Sequence, residues 1–247
     1  MAAKPAPGAA TGLRRRLGPG LLTAYGVGVM IGAGIYVLVG AVAAEAGHLA
    51  PLAFVMAGLV AAPSALSYAE LSVRIPESAG EAAYLGAATG SDLLAIAVGL
   101  AMATVGVVSA AVVLQGGVGY LRTMLDLPAS LLILAIGLAL GAAAAVGVLE
   151  SLALAAVLTL VEVAGLLIVV GVGFAAPPAP LPETAPADAL ALTGIAAATL
   201  LAFFAFVGFE DMVNMVEETR DPGRTMPRAI LLALAITTVL YVLVSMA

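Results

Sequence analysis

Four glycines punctuate the apolar stretch Tyr25-Gly26-Val27-Gly28-Val29-Met30-Ile31-Gly32-Ala33-Gly34-Ile35-Tyr36, and Gly32 and Gly34 fall near the middle of an uncharged run from Leu21 to about Val42. Each glycine costs a helix interior about 1 kcal/mol relative to alanine, so a pair one residue apart opens the helix at that point. Backbone released at mid-membrane depth survives only where it is buried in protein or lines a wet cavity. Amides freed there can hold an anionic group such as a carboxylate, as discontinuous helices do in membrane carriers. Two acids add a second chemistry. An ionised carboxylate at a helix centre costs roughly 2.5–3.5 kcal/mol on insertion scales, yet Glu162 sits between Leu160-Val161 and Val163-Ala164 with no opposite charge three or four residues away. It either carries a proton or hydrogen-bonds a carbonyl freed by the glycine break. Glu210 closes the segment Phe203-Phe204-Ala205-Phe206-Val207-Gly208-Phe209-Glu210. Counted from Leu190, it lies close to the inner membrane surface and reads as an ordinary acid.

The elements that position these groups are membrane spans. Of the 247 residues 63% are hydrophobic and 10% charged, with a mean hydropathy of +1.19. Soluble domains run nearer 45–50% apolar and about 25% charged. The chain is therefore expected to be all-α and integral to a lipid bilayer. Seven spans are expected at about 21–43, 51–73, 93–121, 129–148, 151–174, 190–215 and 228–247. The breaks between them are chemical: Arg74-Ile75-Pro76-Glu77-Ser78, Asp126-Leu127-Pro128, a tight turn at Glu150-Ser151, the linker Pro177-Pro178-Ala179-Pro180-Leu181-Pro182, and Asp221-Pro222-Gly223. Thr225-Met226-Pro227 reads as the start of the last helix. Arg14-Arg15-Arg16 resembles the charged start of a secretory signal. The apolar run after it exceeds the roughly 7–15 residues of such a signal, however, and lacks a cleavage context.

Orientation follows from Lys and Arg, which concentrate in cytoplasmic loops. With the N-terminus inside, Lys4, Arg14, Arg15, Arg16, Arg74, Arg220, Arg224 and Arg228 fall on the inner side, which leaves only Arg122 of the nine outside. Glu70 is expected to pair with Arg74 one turn later. The chain ends at Ser245-Met246-Ala247 directly on an apolar run, and so reads as a sequence cut short.

Several classes fall away. The chain has no cysteine, which excludes disulfides, thiolate metal sites and thiol catalysis. His48 is the only histidine and lies at the outer end of the first span, so no metal or other cofactor is expected. A retinal protein needs a Lys in its last span, and Lys4 is the only Lys. A seven-helix receptor would place its N-terminus outside, against the charge bias. No clustered acids, Ser or His point to an enzyme, no rings of charge point to a channel, and nothing calls for nucleic acid. Position 31 is Ile, so the glycine run is not a dinucleotide fingerprint. Gly28-x-x-x-Gly32 and Gly137-x-x-x-Gly141 also fit close helix packing.

Three pieces in order carry a resemblance: the glycine break, the loop Arg74-Ile75-Pro76-Glu77-Ser78-Ala79-Gly80-Glu81-Ala82-Ala83-Tyr84-Leu85-Gly86, and Phe203 to Glu210 followed by Glu217-Glu218-Thr219-Arg220-Asp221-Pro222. Together they resemble the amino acid–polyamine–organocation (APC) superfamily of permeases, most of all bacterial amino acid permeases. The resemblance implies a LeuT-type fold, in which two inverted five-helix repeats have discontinuous helices 1 and 6. Here 1–20 would be a cytoplasmic tail, 21–174 the first repeat, 175–189 an extracellular linker, and 190–247 the first two helices of the second repeat. It further implies that Ala33 and Gly34 amides receive a substrate carboxylate, with Gly32 permitting close approach. The carbonyls of Met30, Phe204 and Val207 would take the ammonium, beside the break at Gly208, with the Phe204 ring as a gate. In relatives this part of span 5 can carry a Lys, whereas this chain has Glu162, and Glu210 matches a position where some relatives have a Glu linked to pH sensing, which implies a role in gating or protonation. The implied activity is secondary transport of amino acids across the cytoplasmic membrane, with H⁺ as coupling ion or by exchange. The alternatives are a polyamine, another organic cation or another small solute as cargo, or a fragment that does not transport. Oligomeric state is not implied.

The charge split makes topology testable with single cysteines. A cysteine at Ala179 should react with impermeant maleimide in intact cells and one at Thr219 should not. The reverse pattern sinks the assignment.

Overall fold

The computed structural model describes residues 15–32, 34–176 and 192–247. The helices are α1 (Pro19–Ile31), α2 (Gly34–Ala46), α3 (Ala50–Arg74), α4 (Gly80–Thr89), α5 (Asp92–Leu121), α6 (Ala129–Val146), α7 (Val148–Ala175), α8 (Leu192–Phe204) and α9 (Pro222–Met246). A ten-residue 3₁₀ segment, Phe209–Glu218, continues from α8 after a short turn. Among the described residues the sole strand-like pairing is an isolated bridge between Leu17 and Thr219. The protein is an all-α, multi-pass membrane protein. Six helical stretches among the described residues are long and apolar enough to cross a bilayer. The stretch Gly34–Arg74 holds 41 residues, about 60 Å at 1.5 Å per residue, twice a hydrocarbon core of about 30 Å. It doubles back at Gly47, whose φ is 55°.

Both glycine-marked interruptions are present. α1 stops at Ile31 and α2 begins at Gly34, with Gly32 at φ 33° and ψ −140°. α8 stops at Phe204, and Gly208 adopts φ 130° before the 3₁₀ segment.

Three boundaries depart from the sequence expectation. The stretch after Arg74 contains a ten-residue helix, α4, that ends at Gly90 in the left-handed region with φ 66°. The turn expected at Glu150-Ser151 lies at Gly147 (φ 155°), and the Ser151 hydroxyl folds back to donate to the Ala143 carbonyl at 2.9 Å. The last helix begins at Pro222, since Asp221 turns the chain with φ 45° and Pro222 suits a first helical position. Pro227 therefore falls in the second turn.

Packing follows the rules of apolar solvent, where helices associate through small residues and close contact. On α3 a ladder of five alanines at four-residue intervals, Ala53, Ala57, Ala61, Ala65 and Ala69, is wholly or nearly wholly buried, and α3 makes its main contact with α9. The core is shared by α1, α2, α3, α8, α9 and the 3₁₀ segment. By contrast α5 and α7 present apolar side chains outward, with Leu93 77% and Leu160 67% exposed, as expected of surfaces that meet lipid or further helices.

Three connections gather at one end of the bundle. The amides of Arg16 and Leu17 donate to the Glu218 carbonyl at 2.9 and 3.0 Å, and Arg220 N donates to Leu17 O at 2.8 Å. Ser78 N donates to Glu217 Oε1 at 3.0 Å. Glu70 pairs with Arg74 as expected, on a side exposed enough that the pair contributes only about 0.3–0.5 kcal/mol.

At the α3–α9 seam, a Cβ on Gly58 would lie 2.8 Å from Thr238 Oγ1 and 3.6 Å from Phe206 Cζ. Gly58→Val should overpack this seam and destabilise the fold by about 1–3 kcal/mol, read as a lower unfolding midpoint in detergent. A midpoint equal to the parent's would mean the seam is loose.

Candidate functional site at the crossing of two broken helices

The two interruptions meet. A Cβ on Gly34, the first residue of α2, would lie 3.1 Å from Ala205 Cα, just past the end of α8. A Cβ on Gly208 would lie 3.1 Å from the Val29 carbonyl oxygen in the last turn of α1. Each contact sets the start of one half-helix against the finish of the other. Helix starts carry partial positive charge and helix ends partial negative charge, so the crossing is electrostatically complementary. It also leaves no room for a side chain at either glycine.

The freed backbone groups are partly satisfied in place. Gly32 N donates to Gly28 O at 3.0 Å, and beyond α8 the amides of Ala205, Phe206 and Val207 donate to the carbonyls of Ala202, Phe203 and Phe204 at 3.0, 2.9 and 3.4 Å. Glu210 accepts from the Gly208 amide at 2.9 Å through Oε2. The phenol of Tyr241, on α9, lies 2.7 Å from the Met30 carbonyl oxygen and 2.8 Å from that of Ala205. Tyr241 is fully buried. Its ring meets Phe54 and Phe206 edge-on, at centroid distances of 5.5 and 5.1 Å.

The structure brings Met30, Gly32, Gly34 and Gly208 together. Met30 is buried, and its carbonyl already accepts from Tyr241. Phe204 and Val207 lie at the same turn with exposed side chains, 64% and 46%. Ala33 lies outside the described residues. Glu162, on α7, lines a cavity of about 230 Å³ with Tyr25, Gly28, Val29 and Thr159, and lies within electrostatic reach of Tyr36 and Tyr241. Val29 thus separates the Glu162 cavity from Gly208. Gly28 permits this arrangement, since a Cβ there would collide with the Thr159 side chain. Glu210 is not in this cavity. It faces the α3–α4 side, near Glu81 and Asp211. There Tyr68 stacks edge-on against Phe209 and Tyr84, at 5.9 and 6.4 Å. On α4, burial, reinforced by the charge of Glu81, pushes the Tyr84 phenol up to about 12, so it stays neutral.

A family model described as amino acid permease matches residues 22–247. The chain belongs to the amino acid permease family. It is 32% identical to the methylthioribose transporter of Bacillus subtilis over 226 residues, covering 81% of this chain and 47% of that protein. It is 29% identical to the branched-chain amino acid permease BcaP of the same organism over 228 residues, covering 82% and 48%. Identity to cationic amino acid transporter 1 of Arabidopsis thaliana is 28% over 211 residues, covering 78% and 35%. The chain thus spans about half the length, or less, of the curated relatives it matches.

Two features of this crossing are not legible in the sequence. Tyr241 reads as one aromatic in an apolar helix, and its partners lie 211 and 36 residues away. Glu210 was legible as an acid after a break, but not as the acceptor of the Gly208 amide.

The backbone contact at Gly34 yields a direct test. Gly34→Val should abolish uptake by the complete gene product while membrane abundance stays within about twofold, because its side chain must push α2 off Ala205. Uptake near the parent level would remove Gly34 from the site.

Proposed function

We propose that this chain carries the substrate-binding half-sites of a LeuT-type secondary transporter for amino acids, placed at the crossing of its two discontinuous helices. The observation that supports it most is the meeting of Gly34 with Ala205 and of Gly208 with Val29. There helix starts and helix ends converge on one point, the arrangement that suits a zwitterion. In this reading Gly34 and Ala33 donate to the carboxylate, Gly32 allows close approach, and the carbonyls of Met30, Phe204 and Val207 take the ammonium, beside Gly208. The exposed Phe204 ring would close over the cargo. The Met30 carbonyl has a second lone pair to offer beside its bond from Tyr241.

The seven crossings would run with the N-terminus in the cytoplasm, and with 175–189 outside. This agrees with the gathering of the Arg16, Arg74 and Arg220 segments at one end. Residues 21–174 would form the first repeat and 190–247 the opening of the second, in the cytoplasmic membrane. H⁺ would be the coupling ion, with Glu162 as its carrier in the cavity beside Val29 and Glu210 as a gating acid. Exchange is the other mode of the same machinery.

A neutral small solute is a second reading, favoured by the 32% identity to a methylthioribose transporter. Proteoliposomes containing the complete gene product separate the two when loaded against radiolabelled L-leucine, L-lysine, L-arginine and methylthioribose. Uptake of an amino acid, unaffected by excess methylthioribose, is the expected outcome. Uptake of methylthioribose alone would overturn the amino acid assignment.

Proton coupling has its own test. Glu162→Gln keeps shape and hydrogen bonding but cannot titrate. Uptake driven by a pH gradient should fall at least about tenfold and lose its pH dependence, while substrate binding persists. A Gln variant with the parent's pH profile would clear Glu162 and move attention to Glu210.

A further inference from the structure

We propose that Tyr241 is a positioning residue for transport: its hydroxyl ties the ends of α1 and α8 together and thereby sets the geometry on which substrate affinity depends. The inference rests on the amino acid reading for its cargo, but the tie itself is a statement about this chain alone.

The phenol has one proton and faces two carbonyl oxygens, Met30 O at 2.7 Å and Ala205 O at 2.8 Å. A single O–H cannot satisfy both fully, so the proton is shared and the bond is sensitive to movement of either helix end. Both acceptors are at the interruptions. Met30 is the penultimate residue of α1, and Ala205 is the first residue past α8. Ala205 is also the residue against which Gly34 packs. Three elements far apart in sequence thus meet at one oxygen, and two of them carry the half-sites.

The position of that oxygen is itself fixed. Tyr241 is fully buried, and Phe54 from α3 and Phe206 from the α8 turn hold its ring edge-on at interplanar angles of 62° and 65°. The polar side chains of α9 also divide by face. Thr238 satisfies itself within its own helix, donating to Leu234 O at 2.7 Å. Thr237, one turn before Tyr241 on the same face, is fully buried, and among the described residues its hydroxyl has no partner. This face of α9 does not close its polar groups on its own backbone, and at Tyr241 it reaches across to the broken helices. Mid-membrane carbonyls without water must find a donor in protein, and Tyr241 supplies one for both breaks at once.

Tyr241→Phe removes the hydroxyl and keeps the ring. In the complete gene product it should raise KM for the transported amino acid about tenfold or more while Vmax changes less than about threefold. Met226→Ala, a truncation of a fully buried core side chain that the tie does not use, should lower the unfolding midpoint and keep KM within about twofold. Independently of any cargo, spin labels on cysteines introduced at Gly20 and Leu200 report the α1–α8 separation. The parent should give one narrow distance distribution, and Tyr241→Phe should broaden or split it. An unchanged distribution overturns the tie. A broadened distribution with an unchanged KM overturns its link to affinity, as does an equal KM shift in Met226→Ala. If the parent carries none of the amino acids, the substrate reading fails and the spin-label arm alone decides the tie.

Discussion

A backbone broken in the middle of a bilayer must satisfy its own polar groups, and the rest of this structure follows from that constraint. Two helices are interrupted, and each releases amides and carbonyls that must find partners in the protein or in a wet cavity. The protein answers by crossing the interruptions over one another. The start of α2 abuts the end of α8, and the 3₁₀ segment begins against the last turn of α1. Glu210 receives the Gly208 amide, and Tyr241 covers two carbonyls with a single proton. Some capacity is left unfilled because each carbonyl has two lone pairs. That residue of unmet hydrogen bonding is what a polar cargo can use.

Close approach makes the crossing possible. Gly34 and Gly208 each face backbone at about 3 Å from where a Cβ would stand, so their role here is to be small as much as to be flexible. The same economy runs through the scaffold. The alanine ladder of α3 and Gly58 bring α3 against α9, and Gly28 lets Thr159 on α7 approach α1. In lipid, where burying a methyl group against a tail or against a helix differs little, such contacts and the few interhelical hydrogen bonds decide which helices associate. The aromatic contacts of Phe54 and Phe206 then hold Tyr241 where α1, α3, α8 and α9 meet.

Much of this was legible in the sequence, for physical reasons that can be named. A glycine pair inside an apolar run advertises a break, and Gly208 after the Phe-rich stretch advertises its counterpart. The Glu70–Arg74 pair follows from helix spacing alone. The short helix α4 was missed because Pro76 before it and the glycines around it read as loop, although Glu81-Ala82-Ala83-Tyr84-Leu85 are sound helix formers. The start of α9 was placed too late because Pro227 looks like a first-turn proline, while Asp221 and Pro222 already cap the helix. Tyr241 could not be read from spacing, since its acceptors belong to other helices and only the fold brings them within reach. The alanine ladder of α3 was readable at four-residue intervals and carried no chemistry to draw attention to it.

In the proposed reading, the crossing recognises both ends of a zwitterion through opposite helix termini. The most direct measurement is competition against the transported amino acid in proteoliposomes by three close derivatives. These are the N-acetylated form, the methyl ester, and the decarboxylated amine. Each keeps the side chain and disables one end of the backbone. All three should compete at least about a hundredfold more weakly than the parent amino acid. A derivative that competes as well as the parent would show that the end it lacks is not read, and would contradict the assignment of the two broken helices as complementary half-sites.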